Sequence, residues 1–244
     1  MDSCAKCSPL PGHARPLENS HDDPARVEKQ KETSYLAHID VLPGCDPIAL
    51  FLEWKALAAA RGALMTNTMV ISTVNRKMEV SSRTLVLRRM DGDAFVFMTD
   101  SRSRKAADLA EHPRASLVFQ WNYREGARVV NRQVRAAGAV TPLPDDAFGD
   151  LYAREPLYCR LRSHLCHQGE PVDWTRHSAR HDALLAQHRD GTAQLYQRPE
   201  HVVAYRLQPE WLEMYHALDD CIGDRVLFTR HASDGGWSFQ HLAA

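Results

Sequence analysis

Residues Ser81–Arg88 read S-S-R-T-L-V-L-R, and a second stretch, Thr99–Lys105, reads T-D-S-R-S-R-K. In the first stretch, the alternation of an extended strand places Arg83 on the same face as two leucines. In the second, hydroxyl and cationic side chains stand where a strand ends and a helix begins, so free backbone N–H groups join Arg104 and Lys105. Donors that converge in this way hold phosphate monoesters. A solvated basic helix start is the alternative reading of these residues alone.

Short runs rich in β-branched and aromatic residues surround these two stretches and predict strands. The predicted strands are Met69–Val74, Val80–Arg89, Ala94–Thr99, Ala115–Trp121, Val129–Val140, His201–Leu207, Trp211–His216, Arg225–Arg230 and Trp237–Leu242. Between two of them, Asp91-Gly92-Asp93 is a hairpin signal. Many short antiparallel strands with helices at the crossings predict an α+β fold built on a closed or partly closed barrel.

The folded part of the chain is predicted to open with an amphipathic helix. Asp46 suits the N-cap, Pro47 suits the first helical position, and apolar residues follow at helical spacing until Arg61-Gly62. Further helices are predicted over Ser103–Glu111, Pro144–Ala153, Pro156–Cys166 and Trp174–His188.

Residues 1–44 differ in composition, since they are rich in Pro, Ser, Asp, Glu, Lys and His and poor in large apolar side chains. Such a segment cannot offset the entropy of ordering. We therefore expect a disordered N-terminal tail over residues 1–44 and one folded domain over residues 45–244.

The charge of the chain restricts the classes of partner. The formal net charge is -1 and the isoelectric point is near 6.9, so no overall field favours a nucleic acid. No run of apolar residues reaches the length of a membrane span, and the first residues have no apolar core typical of a secretory signal. No nucleic-acid or membrane partner and a cytoplasmic location are therefore expected.

Metal signals are weak. The chain has six cysteines, which we expect to be free thiols in a reducing compartment. Cys4 and Cys7 form a C-x-x-C pair, which is half of a zinc site or simply part of the tail. His177 and His181 lie four residues apart in a predicted helix, where they chelate a metal or lie exposed on a charged face. No metal is predicted.

Five motifs follow one another in the order R-x-L-V-L-R, F-x-F-M-T, S-R-K, P-R-A-S-L-x-F-x-W and R-Q-V-R-x-x-G-x-V, from Arg83 to Val140. Together they resemble the core of the pyridoxine/pyridoxamine 5'-phosphate oxidases, which bind flavin mononucleotide (FMN). The resemblance runs from about Asp46 to the C-terminus, apart from a short insertion at Asn122–Val130. It implies an FMN-binding split β-barrel with flanking helices and a homodimer with shared FMN sites.

The resemblance also implies which residues bind the cofactor. Arg83, Arg104 and Lys105 would hold the flavin phosphate and ribityl chain. Gln133 would lie near the flavin ring, and Gln168 near the phosphate of the partner subunit's cofactor. The full implied set is Arg83, Thr84, Leu85, Val86, Leu87, Arg88, Met98, Thr99, Ser103, Arg104, Lys105, Gln133, Gln168, Gly169, Tyr215 and Arg225.

The substrate positions depart from the family pattern. Family members hold a substrate phosphate with a lysine, a tyrosine, an arginine and a serine, and the substrate ring with an Arg-x-His pair. In this chain the corresponding positions are Arg88, Leu151, Glu155 and Cys159, followed by Cys221 and Gly223. Each lost charge-assisted contact is worth about 1.5–3 kcal/mol. A one-residue shift that brings Tyr152 and Arg154 into the phosphate site is one alternative, and drift after loss of turnover is another.

The resemblance therefore implies an FMN-dependent oxidoreductase of vitamin B6 metabolism with an altered small-molecule substrate. In such an enzyme a hydride passes from the substrate to the flavin N5, and O2 reoxidises the flavin. No catalytic side chain is assigned. The alternative is an FMN-binding protein of the same fold with little or no oxidase turnover.

Overall fold

The computed structural model describes residues 35–243. The strands are β1 (Thr68–Val74), β2 (Val80–Val86), β3 (Arg89–Asp91), β4 (Ala94–Asp100), β5 (Arg114–Glu125), β6 (Arg128–Pro142), β7 (Val202–Leu218), β8 (Asp224–Arg230) and β9 (Trp237–Leu242). The α-helices are α1 (Pro47–Ala60), α2 (Arg104–Glu111), α3 (Gly149–Ala153), α4 (Leu157–Leu165) and α5 (Trp174–Arg189).

The strands form one antiparallel sheet that curls into a partly closed barrel. Its order is β2-β1-β5-β6-β7-β4-β3, with β8 added on β7 and β9 added on β8. The sheet curls far enough for β2 to approach β4. The predicted α+β class is confirmed, because the helices lie outside one continuous antiparallel sheet.

The core of the barrel is aromatic. Phe51 on α1 contacts Phe95, Phe119 and Trp121, and all four side chains are fully buried. Helix α1 begins where predicted, because the Asp46 carboxylate accepts a hydrogen bond from the Ile48 N–H at 2.9 Å and Pro47 follows at the first helical position. Helix α1 thus anchors the folded part of the chain against the strands that carry the site.

Two strand predictions need correction. His201–Leu207 and Trp211–His216 are one continuous strand, β7, because a bulge opposite Ala137 and Gly138 takes up the irregularity at Pro209. Gly138 permits this close approach, since a Cβ atom there would lie 1.9 Å from the Gln208 carbonyl oxygen.

The predicted strand Val80–Arg89 instead divides into β2 and β3, and the backbone N–H groups of Leu87 and Arg88 donate to Asn67 and Val96. The predicted helix Pro144–Ala153 divides into a 3-10 turn, Asp145–Ala147, and α3. The expected insertion over Asn122–Val130 simply lengthens the β5–β6 hairpin.

The segment before α1 contacts the end of the sheet. The predicted tail lies outside the described residues as far as residue 34. Beyond it, the Ala37 N–H donates to the Ile222 carbonyl at 2.8 Å, and the Ile39 N–H donates to the Asp224 carboxylate at 2.8 Å. Both Ala37 and Ile39 are buried.

Among residues 35–243, no helix combines the length and the apolar character that crossing a membrane requires.

Candidate functional site

A cavity of about 770 Å³ opens between the ends of β2 and β4 and the helices α3, α4 and α5. Ten of the predicted cofactor and substrate residues contribute to its wall. They are Thr84, Leu85, Val86, Arg88, Met98, Thr99, Glu155, Cys159, Gln168 and Gly169. The stretches Ser81–Arg88 and Thr99–Lys105 therefore meet at one cavity. Leu87, by contrast, points into the barrel core, where it is 4% exposed.

Lys105 lies just behind one end of this cavity, where Thr99 and Gln168 form the wall, and it has other cations as neighbours. Its Nζ donates to Thr99 Oγ1 at 3.0 Å and to Gln168 Oε1 at 2.5 Å. Burial, with the nearby positive charge of Arg83 and Arg162, lowers the pKa of Lys105 to about 8. A buried amine held among like charges favours the arrival of an anion.

The Gln168 contact arises within one chain. Gly169 follows with a φ of 98°, a backbone conformation that favours glycine, and turns the loop after α4 back towards α2. The family resemblance instead implies that Gln168 reaches the cofactor of a partner subunit. Here Gln168 reaches Lys105 of its own chain.

Arg83 is held beside Lys105 by a short network. Its Nη1 donates to Thr73 Oγ1 at 2.7 Å, and that hydroxyl donates to Asp108 Oδ2 at 2.5 Å. Burial is the main cause that lowers the pKa of Arg83. Arg104 differs, because its side chain is 56% exposed and lies 3.5 Å from Glu79.

The start of α2 completes a set of donors that fits a phosphate. Ser103 is buried, and its hydroxyl donates to the Asp100 carbonyl rather than capping the helix. The first turn of α2 therefore has no side-chain cap at its N-terminus. Arg83, Lys105 and this helix start fit a dianionic phosphate monoester in charge and in donor type.

At the other end of the cavity, the cation Arg88 forms an ion pair with a buried carboxylate. Arg88 Nη2 lies 2.7 Å from Glu155 Oε1, and the Glu155 side chain is 5% exposed. Burial raises the pKa of the neighbouring Cys159 thiol, and the nearby Glu155 carboxylate acts in the same direction. The positive charge of Arg88 is therefore already neutralised within the chain.

The remaining residues near α3 do not supply a substitute cation. Leu151 packs in a small apolar cluster with Phe148 and does not line the cavity. Tyr152 lines it, but the hydroxyl contacts Ser163 at 3.0 Å. Arg154 is 76% exposed and pairs with Asp150. Of the one-residue shift considered from the sequence, Tyr152 therefore takes its place on the cavity wall, whereas Arg154 does not.

A second group of predicted residues lies away from the cavity wall. Gln133, Tyr215 and Arg225 stand opposite one another on β6, β7 and β8. The Arg225 guanidinium lies 5.6 Å from the centre of the Tyr215 ring. That ring also covers Gly223, where an added Cβ would lie 2.5 Å from Tyr215 Cε2. The site residues thus form two groups on different parts of the chain.

Arg162 is a cavity residue that was not predicted from the sequence; it lines the wall, and its positive charge lowers the pKa of Lys105. The signal was helical spacing, since Glu155, Cys159, Arg162 and Cys166 follow at intervals of four, three and four residues and all line the cavity. Cys166 Sγ also lies 3.8 Å from His177 Nε2. His181 instead faces Asp182, with 2.9 Å between His181 Nδ1 and Asp182 Oδ1.

Comparison with known proteins identifies similar sequences. A family model described as "Pyridoxamine 5'-phosphate oxidase" matches residues 58–183. The pyridoxine/pyridoxamine 5'-phosphate oxidase of Cupriavidus metallidurans is 33% identical over 222 residues, which cover 90% of this chain and 98% of that protein. The corresponding protein of a Nocardioides species is 32% identical over 224 residues, covering 91% and 99%.

Two solved structures are similar in fold. PhzG from Burkholderia lata, crystallised with tetrahydrophenazine-1-carboxylic acid, matches with a TM-score of 0.71 and 27% identity over 85% of this chain and 100% of that chain. A pyridoxamine 5'-phosphate oxidase-related, FMN-binding protein of Nostoc punctiforme matches with a TM-score of 0.57 and 21% identity, covering 84% and 99%. The split-barrel fold that the sequence predicts is confirmed by these matches.

Proposed function

The chain belongs to the pyridoxamine 5'-phosphate oxidase family, and from that premise we propose that it is an FMN-dependent oxidase whose substrate carries no phosphate group. The observation that carries the proposal is the contrast between the two ends of the cavity. The end at Lys105 gathers cations and a free helix start, whereas the end at Arg88 is neutralised by Glu155. One end suits the phosphate of FMN, and the other does not suit a second phosphate.

In this proposal the cofactor phosphate would be held by Arg83, Lys105 and the start of α2, with Arg162 as an additional cation. Thr84–Val86 of β2 and Met98 of β4 would line the flavin ring, because they form the wall next to the phosphate end. Bound FMN would supply the redox chemistry, accepting a hydride at N5 and passing electrons to O2. The chain would bind, orient and shield the reactants.

The Arg88–Glu155 pair would select the substrate. A dianionic phosphate would have to compete with a buried carboxylate for Arg88 and would face the negative charge of Glu155 itself. Two lost charge-assisted contacts lower affinity by about a hundredfold or more. PhzG, solved with a partly reduced ring that carries a carboxylate, is a relative whose ligand has no phosphate. A ring substrate of this general kind would bring less negative charge close to Glu155 than pyridoxamine 5'-phosphate would.

A second candidate is an FMN-binding protein with little turnover. It is favoured by Gly223, which has no side chain to orient a substrate and is covered by the Tyr215 ring. Such a protein would still bind FMN at the Lys105 end of the cavity, but it would lack side chains that position a substrate next to the flavin.

The proposal is tested first on the purified protein. FMN should copurify at about one equivalent per chain, and the protein should be yellow. A protein that neither contains FMN nor can be reconstituted with it would refute both candidates. Anaerobic mixing with pyridoxamine 5'-phosphate, pyridoxamine and a partly reduced aromatic carboxylate then separates them. Bleaching of the flavin by a phosphate-free compound supports the oxidase, and no bleaching by any of the three supports the second candidate.

The role of Glu155 is tested by Glu155→Arg and Glu155→Gln. Glu155→Arg removes a repulsion and adds a cation, so KM for pyridoxamine 5'-phosphate should fall by about 10- to 100-fold. Glu155→Gln removes only the repulsion and should give a smaller fall. Glu53→Arg makes the same change of charge on the exposed face of α1 and should leave KM unchanged. A parent protein with kcat/KM above about 10⁴ M⁻¹s⁻¹ for pyridoxamine 5'-phosphate would contradict this account of the cavity.

A further inference from the structure

Three polar side chains from separate segments converge where the chain before α1 meets the sheet. His38 lies in that segment, Asp224 begins β8, and His241 lies in β9. His38 Nδ1 lies 3.4 Å from Asp224 Oδ2, and His241 Nδ1 lies 2.9 Å from Asp224 Oδ1. The two imidazole rings are stacked, with centroids 5.3 Å apart and planes at 9°. None of the three residues lines the cavity of the proposed oxidase site.

Asp224 is the fixed centre of this cluster. Its side chain is 11% exposed and accepts a hydrogen bond from the Ile39 N–H at 2.8 Å. The orientation of the carboxylate is therefore set by the backbone.

The donor set and its spacing suit a metal ion. One ligand atom from each residue lies within 4.8 Å of the other two, the one such group of three found among residues 35–243. A tetrahedral zinc ion, with metal–ligand distances of about 2.0–2.1 Å, requires ligand atoms about 3.3 Å apart. The two histidines are 64% and 41% exposed in their side chains, so they are free to close that gap by rotation.

We propose that His38, Asp224 and His241 bind a divalent transition-metal ion of the zinc class, with water in the fourth position. Two imidazoles and one carboxylate are a common ligand set for such ions. Asp40, whose Oδ1 lies 3.4 Å from His38 Nε2, would orient His38 from outside the ligand set. The ion would replace the His241–Asp224 hydrogen bond and the 3.4 Å contact between His38 and Asp224 by three coordinate bonds.

The ion would join the segment before α1 to the end of the sheet. That segment already contacts Ile222 through the Ala37 N–H. Asp224 directly follows Gly223, which faces Tyr215. A bound ion would therefore fix the segment against the loop that precedes β8, and its binding free energy would add to the stability of the fold.

The test measures Co²⁺ and Zn²⁺ binding to the full chain after treatment with a chelator. A background with Cys4→Ser and Cys7→Ser removes the C-x-x-C pair, which lies outside the described residues. Co²⁺ titration should give saturable visible absorption at one equivalent, displaced by Zn²⁺. His38→Ala and His241→Ala should each weaken binding by at least about 10-fold, since even partners outside the ligand set contribute about 10- to 100-fold.

The matched control is His231→Ala, since His231 also faces an aspartate, Asp234, at 3.4 Å on the surface. It should leave metal affinity unchanged. The melting temperature supplies an independent readout, because Zn²⁺ should raise it in the parent and in His231→Ala but not in His38→Ala. Absence of saturable Co²⁺ binding, or equal affinity in the parent and both ligand variants, would overturn the proposal.

Discussion

The fold changes the acid–base behaviour of Lys105. Its ammonium is buried next to Arg83, so its pKa falls to about 8, well below the usual value for lysine. A bound phosphate would favour the charged form and raise that pKa again. Binding of FMN should therefore be linked to proton uptake by Lys105 above pH 8.

This linkage gives a pH dependence with a definite sign. Above the pKa of free Lys105, affinity for FMN should fall as pH rises, by up to about tenfold per pH unit. Flavin fluorescence quenching measured across this range gives the dissociation constants. Lys105→Arg keeps its charge and should show little change over the same range. A parent protein whose FMN affinity is constant above pH 8 would show that Lys105 does not face the phosphate.

Gly223 supplies a second prediction at this scale, because the Tyr215 ring occupies the space that a side chain would need. An added Cβ would lie 2.5 Å from Tyr215 Cε2. Gly223→Ala should therefore destabilise the protein by about 1–3 kcal/mol, as measured by denaturant unfolding. In a Tyr215→Ala background the same change should have much less effect. Equal effects in both backgrounds would contradict the contact.

The identity of single residues could be predicted from the sequence, whereas their pairings could not. The family resemblance places both Arg88 and Glu155 at the substrate end, yet their mutual ion pair depends on how α3 and α4 pack against β2. Similarly, Leu151 became a core residue because the short helix α3 turns it towards Phe148. These outcomes depend on tertiary packing, which residue type alone does not fix.

At the scale of elements, β6 and β7 form a long antiparallel pair in the middle of the sheet, and the bulge in this pair depends on Gly138. The Gln208 carbonyl oxygen would lie 1.9 Å from a Cβ atom at this position. Because a backbone atom cannot move aside cheaply, Gly138→Ala should destabilise the protein by about 2 kcal/mol or more. Gly149→Ala is the matched control, since no atom lies within 4 Å of the added Cβ in α3. That control should be neutral or slightly stabilising, and equal losses in thermal unfolding would contradict the role of Gly138.

Most strands and helices could be predicted, because alternation and capping are local signals. Asp46 and Pro47 start α1 as expected, and the aromatic alternation of β5 is visible in the sequence. The continuity of β7 through Pro209 could not be predicted in this way. A proline normally interrupts a ladder, and only the facing Gly138 makes the bulge possible.

For the whole molecule, the distribution of site residues matters more than any single contact. The cavity is lined by β2, β4 and the helices α3, α4 and α5. Gln133, Tyr215 and Arg225, in contrast, lie together on β6–β8 and do not line it. The family resemblance implies that both groups contact one FMN. We therefore expect a homodimer in which each cofactor site takes the cavity from one chain and the β6–β8 group from the other.

Complementation between two defective chains tests this arrangement. Lys105→Ala removes a cation of the cavity group, and Arg225→Ala removes a residue of the β6–β8 group, so each homodimer should bind FMN weakly. In a mixed dimer one site would carry both defects and the other would carry neither. Coexpressed chains with different affinity tags should therefore recover about one equivalent of tightly bound FMN per mixed dimer, a gain that mass action ties to assembly. If each site were formed within a single chain, both sites of the mixed dimer would remain defective, and no FMN would be recovered.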